Sequence, residues 1–537
     1  MKAKQISGTK KEYVWMIVLS VIVLLPNFFL LLYGNKVLPT ALLLFALSCL
    51  FFLLPCLFLR KRIFFIIQGI FVLLAPLEAA HIYLNRMPAT AAFLLSIIDT
   101  NQEESFELLS AIKFPLVILF LLWAFYFLIT FVRIKNTCLF KSNRTKWIGA
   151  LVFTGMIITG YATSYNKEIY PYDLMLRTYQ VFAAKKEIKE GKEKMKDFKF
   201  NAIKKEPIDE KEVYVLVIGE TGRYSSYSIN GYQRNTSPML AQTKNLVSYT
   251  DFYSEANITT SSLPMILTRA SARDYERSYV EKSFVDAFKE VGFKTYWIAD
   301  QSANNKFVRR ISGDADKEYF HVASFSDTNN FDEQLWPYLD EVLAKNDSKA
   351  LIVIHTLGSH FRYNYRYPAS FEVFKPSLKG AFDYALISAK NKEIFVNTYD
   401  NSILYTDFFL AKTIRKIDSL QAVSALVYVA DHGENLYDTE ENIVFHGGSE
   451  YTPYDFHVPF FVWTSDKYNI QYPFKVENLN RNKDKRLSTH CIFYSMLDMA
   501  DVTFPEQITA NSIVSDTLQE DSVRYIMNTN MEVQKGF

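Results

Sequence analysis

Cysteine is nearly absent from this chain, and so is any bias of charge. Four cysteines occur in 537 residues: Cys49 and Cys56 inside one apolar run, Cys138 beside another, and Cys491 alone in the polar half. A single cysteine cannot close a disulfide within its own domain, so the polar half must stand on its hydrophobic core. Lys and Arg number 59 against 57 Asp and Glu, a net charge of +2. That balance excludes a strongly basic nucleic-acid binder, and no nucleic-acid partner is expected.

What is plentiful is unevenly placed. Aromatic residues make up 16% of the chain, a share that suits membrane interfaces and carbohydrate or lipid headgroup contacts. Five segments, 13–33, 37–59, 63–83, 114–132 and 147–162, have the apolarity for spans of about 20 residues. The first is too long for a signal peptide and lacks a small-residue cleavage site, so it reads as an uncleaved anchor. Cations then set the orientation. Lys2, Lys4, Lys10 and Lys11 precede the first span; Arg60, Lys61 and Arg62 follow the second; Arg133, Lys135, Lys141, Arg144 and Lys146 separate the fourth from the fifth. These three segments should share the cytoplasmic side. The loop with Asp99, Glu103, Glu104 and Glu107, and everything after Ala162, should lie outside. The expected organisation is a five-helix transmembrane domain over 1–164, an interfacial helix and lysine-rich linker over 165–207, and a domain exposed outside over 208–537.

From Val213 onward short β-rich runs alternate with helical patterns, which predicts a mostly parallel sheet flanked by helices. The runs are 213–218, 295–299, 351–354, 425–430 and 458–463. The first ends in Gly219-Glu220-Thr221, the third in His355 and then Gly358-Ser359-His360, the fourth in Asp431-His432-Gly433-Glu434. Sites in open α/β sheets form at the carboxyl ends of strands, so Glu220, His360, Asp431 and His432 are expected on one rim. Carboxylate and imidazole together suit a divalent metal such as zinc. Asp-His-Gly alone is common elsewhere, so the weight of that reading rests on Glu220 at a separate strand end. The stretch Asn257-Ile258-Thr259-Thr260-Ser261-Ser262-Leu263-Pro264 opens a helix-like run. A hydroxyl there could attack a phosphoryl group held by the helix terminus, or it could simply cap the helix.

The ordered motifs resemble those of bacterial phosphoethanolamine transferases, the lipid A modifying and mobile colistin-resistance enzymes of the alkaline-phosphatase/sulfatase superfamily. They are Val217-Ile218-Gly219-Glu220-Thr221-Gly222-Arg223, Asn230-Gly231-Tyr232-Gln233-Arg234-Asn235-Thr236-Ser237-Pro238, Thr259 five residues before Pro264, Gly358-Ser359-His360, Tyr399-Asp400-Asn401-Ser402, Asp431-His432-Gly433-Glu434 and Phe445-His446-Gly447. The five-span anchor and the outside loop from Phe93 through Glu107 look similar too. The resemblance implies that Glu220, Asp431 and His432 bind a catalytic zinc, with Thr259 as fourth ligand and nucleophile and Thr260 as the adjacent alternative. It implies that His360 and His446 hold the phosphoryl group, bind a second zinc or relay protons. Gln301, Ser302 and Lys306 would contact the donor headgroup, and Ser96 and Glu104 of the outside loop would contact substrate. The donor would be phosphatidylethanolamine, the acceptor lipid A or another glycolipid, and the location the bacterial inner membrane with the catalytic domain in the periplasm. Two departures stand out: the family's disulfide staples are missing, and Phe361-Arg362 replaces its Gly-Pro pair after the Gly-x-His histidine.

A phosphoglycerol transferase of the lipoteichoic-acid-synthase type would share the anchor-plus-domain plan. A sulfatase in the strict sense is disfavoured, since no Cys/Ser-x-Pro-x-Arg segment able to yield formylglycine is evident. A catalytically dead lipid-binding scaffold is the reading from another class, disfavoured by the full set of expected metal ligands.

Overall fold

The computed structural model describes residues 9–33, 38–85, 88–89, 113–140, 142–163, 170–300, 310, 312–321, 330–379, 388–440, 442–448, 451–529 and 531–537. Described residues up to Ala184 form one compact unit, and those from Lys185 onward form a second.

Helices occupy all five apolar segments of the first unit: α1 (Lys10–Val23) with α2 (Leu25–Tyr33), then α3 (Leu38–Leu53), α4 (Lys61–Asn85), α5 (Lys113–Arg133) and α6 (Asn143–Thr163). Thr9 caps α1 by accepting the Glu12 N–H. The chain bends 54° between α1 and α2; Pro26 follows the bend, in the first turn, where a missing N–H costs least. Among the described residues, Leu38–Leu57 is by itself long and apolar enough to cross a bilayer, and α1 and α2 reach that measure when counted together.

The cationic segments of this unit meet. Lys61 Nζ lies 2.7 Å from Glu12 Oε1, both side chains buried, and the same oxygen accepts the Lys135 N–H at 3.1 Å. Arg62 donates to the carbonyls of Ile134 and Phe131. The start of α1, the start of α4 and the end of α5 therefore lie together, joined by the Glu12 carboxylate. A further helix, α7 (Tyr172–Lys196), carries Tyr179 and Phe182 exposed and Leu174 and Val181 buried. Much of the lysine-rich stretch, expected as a loose linker, is thus helical.

The second unit is built on seven strands: β1 (Glu212–Gly219), β2 (Leu246–Ser248), β3 (Lys294–Ala299), β4 (Lys317–Phe320), β5 (Lys349–His355), β6 (Val423–Ala430) and β7 (Phe460–Thr464). Their order across the sheet is β2-β7-β6-β1-β5-β3-β4. Strands β6, β1, β5, β3 and β4 run parallel; β7 runs against them, and the edge strand β2, antiparallel to β7, points with them again. The run at 458–463 is therefore a strand as expected, but it enters the rim where the parallel strands leave it. Strand β1 is buried along its whole length, because helices cover both faces. Its alternation divides the core: Tyr214, Leu216 and Ile218 pack on one face with Trp297, Leu263 and Phe493, and Val213, Val215 and Val217 on the other with Ile298, Ile354 and Tyr399. The first face is covered by α8 (Thr259–Leu267) and α10 (Cys491–Met499), the second by α9 (Lys392–Asp418).

At the start of α10, His490 lies between two carboxylates, 3.3 Å from Glu255 and 3.6 Å from Asp521. Burial opposes its charge, but Glu255 and then Asp521 outweigh that and raise its pKa to about 9. The folded pKa lies above the unfolded value, so this contribution to stability is complete below about pH 6.5 and is lost as pH rises through about 9. Thermal melting followed between pH 6 and pH 10 should show the decline, and a His490→Gln variant should flatten it.

Candidate active site

Three neighbouring strands deliver the chemistry. Strand β1 ends in Glu220, β6 in Asp431 and His432, and β5 leads through a tight turn to His360. Glu220, Asp431 and His432 are fully buried and offer ligand atoms all within 4.8 Å of one another. Backbone geometry fixes them. Thr221 adopts a left-handed φ of +58°, a strained conformation for a β-branched residue. From there its N–H donates to Asp431 Oδ1 at 3.0 Å. The His432 N–H reaches the same oxygen at 2.8 Å. His432 Nδ1 lies 2.9 Å from the Gly433 carbonyl, to which it donates, and this directs Nε2 toward the acids.

Thr259 completes the group. It is the first residue of α8, and Ile258 stands at the cap position without a side-chain cap bond. Thr259 does not cap its helix; its Oγ1 lies 3.3 and 3.2 Å from the two Glu220 oxygens and 3.4 Å from His432 Nε2. Thr260 contributes only its carbonyl to a contact, accepting from the Tyr275 hydroxyl. The segment that carries Thr259 is clamped to the end of β6, since the hydroxyls of Ser254 and Ser262 both donate to the Asp431 carbonyl at 2.5 Å.

These distances fit a tetrahedral metal. Bonds of roughly 2.0–2.1 Å to oxygen and nitrogen place neighbouring ligand atoms about 3.3 Å apart. His432 Nε2 lies 3.4 Å from both Glu220 Oε1 and Asp431 Oδ2, and the Thr259 distances match. Asp431 Oδ2 is buried with no hydrogen-bond partner, a vacant acceptor pointing at the same centre. The charges agree. Burial and the Glu220 carboxylate push Asp431 up to about 7. Burial opposes a charge on His432, but Asp431 and Glu220 raise it to about 10. Burial would also raise Glu220, yet the imidazoles of His432, His360 and His446 hold it well below the usual range. Two carboxylates thus compete for one imidazolium proton, a place that a divalent cation fills better.

The flanking histidines are also gathered here. The His446 ring lies 3.9 Å from that of His432, with Nδ1 3.1 Å from Glu434 Oε1. Burial and His432 lower its pKa, which favours the neutral ring. Glu434, whose other oxygen accepts the Tyr363 hydroxyl at 2.7 Å, is an orienting residue that sequence reasoning quoted within a motif but gave no role. Asp332 was missed as well, having no motif to mark it. Its oxygens accept the N–H groups of Leu357 and Gly358 at 2.8 and 3.1 Å and so shape the turn before His360. Gly358 is obligatory in that turn: φ is +47°, and a Cβ there would meet the Glu220 backbone at 2.7 Å. A Gly358→Ala variant should lose about 10- to 100-fold in zinc affinity, as a supporting contact of a metal ligand is displaced; competition with a chelating dye measures it.

His355 is buried at the end of β5 near Glu220, edge-on to Trp297. His457 does not support the metal cluster: it is stacked between Tyr224 and Tyr253, with Nε2 3.1 Å from the Thr250 carbonyl. His490 belongs to Glu255 and Asp521 instead of the pocket. Ser96, Glu104, Gln301, Ser302 and Lys306 lie outside the described residues.

The sulfatase family model matches residues 212–502. Kdo(2)-lipid A phosphoethanolamine 7''-transferase of Escherichia coli (strain K12) is 34% identical over 262 residues, 47% of this chain and 44% of that protein. The chain spans about half the length of the curated relatives it matches, from 44 to 57% for the two at the ends of that range. Among solved structures, the periplasmic domain of EptC from Escherichia coli in complex with zinc is 28% identical. It superposes with a TM-score of 0.55 over 61% of this chain and 92% of that one. The integral membrane lipooligosaccharide phosphoethanolamine transferase A (EptA) of Neisseria meningitidis is 20% identical with a TM-score of 0.73. It covers 93% of this chain and 98% of that one, a likeness of fold. The family model spans more than half of the 537 residues: the chain belongs to the sulfatase family, within the alkaline-phosphatase/sulfatase superfamily, and has curated relatives named phosphoethanolamine transferases.

Proposed function

We propose that this chain transfers phosphoethanolamine from phosphatidylethanolamine to an envelope glycolipid, a phosphate of lipid A being the first candidate acceptor. We place it in a bacterial inner membrane with five spans over 1–164, an interfacial helix and linker over 165–207, and a catalytic domain over 208–537 in the periplasm. The observation that carries the reading is the set of spacings between 3.2 and 3.4 Å among Glu220, Thr259, Asp431 and His432. It supports a zinc site in which a hydroxyl is itself a ligand.

Glu220, Thr259, Asp431 and His432 would hold a zinc ion, which would supply Lewis acidity and lower the pKa of the threonine hydroxyl. Thr259 Oγ1 loses its proton to solvent and attacks phosphorus, and the bond to the diacylglycerol oxygen breaks as that oxygen leaves with the electron pair. His446, oriented by Glu434, and His360 are placed to hold the phosphoryl oxygens and to return a proton to the leaving oxygen. The N–H groups of Ser261 and Ser262 are held by the Ile258 carbonyl, which leaves those of Thr259 and Thr260 to favour the charge that develops on the phosphoryl group. An acceptor phosphate or hydroxyl then displaces Thr259 in a second step, so ping-pong kinetics are expected.

Mass spectrometry of lipid A from cells expressing the chain tests the acceptor. A phosphoethanolamine addition that appears only with the intact chain is the expected result. Unmodified lipid A beside a modified core sugar would reassign the acceptor, and no modified glycolipid of any kind would overturn the reading.

A further inference from the structure

The two readings of the phosphotransferase, ethanolamine or glycerol, differ in one physical respect: ethanolamine carries a cation at its free end. A buried ammonium needs an anionic partner. Such a partner is present and unclaimed. Asp300, the residue after β3, is 4% exposed, and neither carboxyl oxygen has a hydrogen-bond partner. Its polar neighbours are Asp332, Arg366, Tyr405 of α9 and Asn330, whose amide N–H is turned toward the carboxylate. Asp332 is already committed to Leu357 and Gly358. Arg366 forms no ion pair with Asp300; its guanidinium points to the carbonyls of His360 and Phe361, each at 3.4 Å. Asn330 Oδ1 is likewise buried without a donor. Two acids, one guanidinium and one neutral amide leave a local deficit of one positive charge.

The place fits. The Asp300 N–H donates to the His355 carbonyl at 3.1 Å, and His355 pairs in register with Ile218, two residues before Glu220. Asp300 thus stands on the same rim as the metal ligands, two strand spacings or about 9.6 Å from the end of β1. The two-carbon arm of ethanolamine, with side chains reaching in from both ends, bridges that interval. The turn from Thr356 to His360, which presents the phosphoryl-holding histidine, lies between.

We propose that Asp300, backed by Asp332 and Asn330, binds the ammonium group of the transferred phosphoethanolamine and selects this headgroup over a neutral one. Burial, and then the Asp332 charge, raise the empty Asp300 carboxyl well above the usual range; an ammonium at this place supplies the charge that favours its ionised form. The inference rests on the phosphoethanolamine reading and deepens it.

The test uses the full chain reconstituted in vesicles with phosphatidylethanolamine, its N-acetylated form or phosphatidylglycerol as donor. The wild type should prefer phosphatidylethanolamine over the N-acetylated donor by about 10- to 100-fold, the weight of a charge-assisted contact. In Asp300→Asn that preference should vanish through a higher apparent KM for phosphatidylethanolamine, with zinc content unchanged. Equal use of both donors by the wild type overturns the assignment without recourse to any variant. Undiminished discrimination by Asp300→Asn overturns it as well. A wild type that transfers only from phosphatidylglycerol, or from no donor, overturns the phosphoethanolamine reading itself.

Discussion

A Thr259→Ala variant is expected to lose at least about 1,000-fold in transfer rate, because a nucleophile and its machinery act as one unit. The argument is local. Thr259 opens α8 with its hydroxyl directed at Glu220 and His432 and away from its own backbone. Removing the methyl group while keeping the hydroxyl should be far milder, so Thr259→Ser should keep a large part of the rate. Thr260→Ala should retain turnover, since that side chain has no part in the cluster. The comparison is made on initial rates of headgroup transfer from labelled phosphatidylethanolamine. Full activity in Thr259→Ala would refute the assignment of the nucleophile.

Removal of zinc should have the second largest effect. Chelation is expected to abolish transfer and to lower the melting temperature of the catalytic unit by roughly 5–10 °C. That figure follows from a ligand at about 1,000 times its Kd contributing about 4 kcal/mol. Without metal, Glu220 and Asp431 lie buried together against a single imidazolium, and like charges in that setting repel. Binding must also release protons, because the metal-free cluster keeps His432 protonated up to about 10 and Asp431 up to about 7. Zinc affinity should therefore fall as pH is lowered. Calorimetry in two buffers of different ionisation enthalpy measures the release. A melting temperature indifferent to zinc would contradict the site.

Several of these features were legible in the residues alone. Five runs of β-rich sequence correspond to β1, β3, β5, β6 and β7, and the rule that sites form at strand ends leads directly to Glu220, Asp431 and His432. Strands β2 and β4 escaped notice for a physical reason: with three and four residues and only partial burial, they carry no periodicity to detect. The hydroxyl of Thr259 was ambiguous because a capping threonine and a nucleophilic one look alike until the helix boundary is known. That boundary depends on contacts with residues 39 and 173 positions away. Asp332 and Asp300 act through backbone groups and buried charge, which no local pattern announces. His457 and His490 take no part in the cluster and are claimed in the fold by aromatic rings and carboxylates.

In the first unit the three cationic segments meet. Their meeting through Glu12, Lys61 and Lys135 follows from a buried carboxylate, which must find a cation and an N–H donor wherever it is placed.

The most direct measurement is tandem mass spectrometry of the purified chain after incubation with phosphatidylethanolamine and zinc, without acceptor. A phosphoethanolamine adduct on Thr259, discharged when glycolipid is added, is the predicted result. Transfer that proceeds with no adduct on this residue, or with the adduct on another, would contradict a mechanism centred on Thr259.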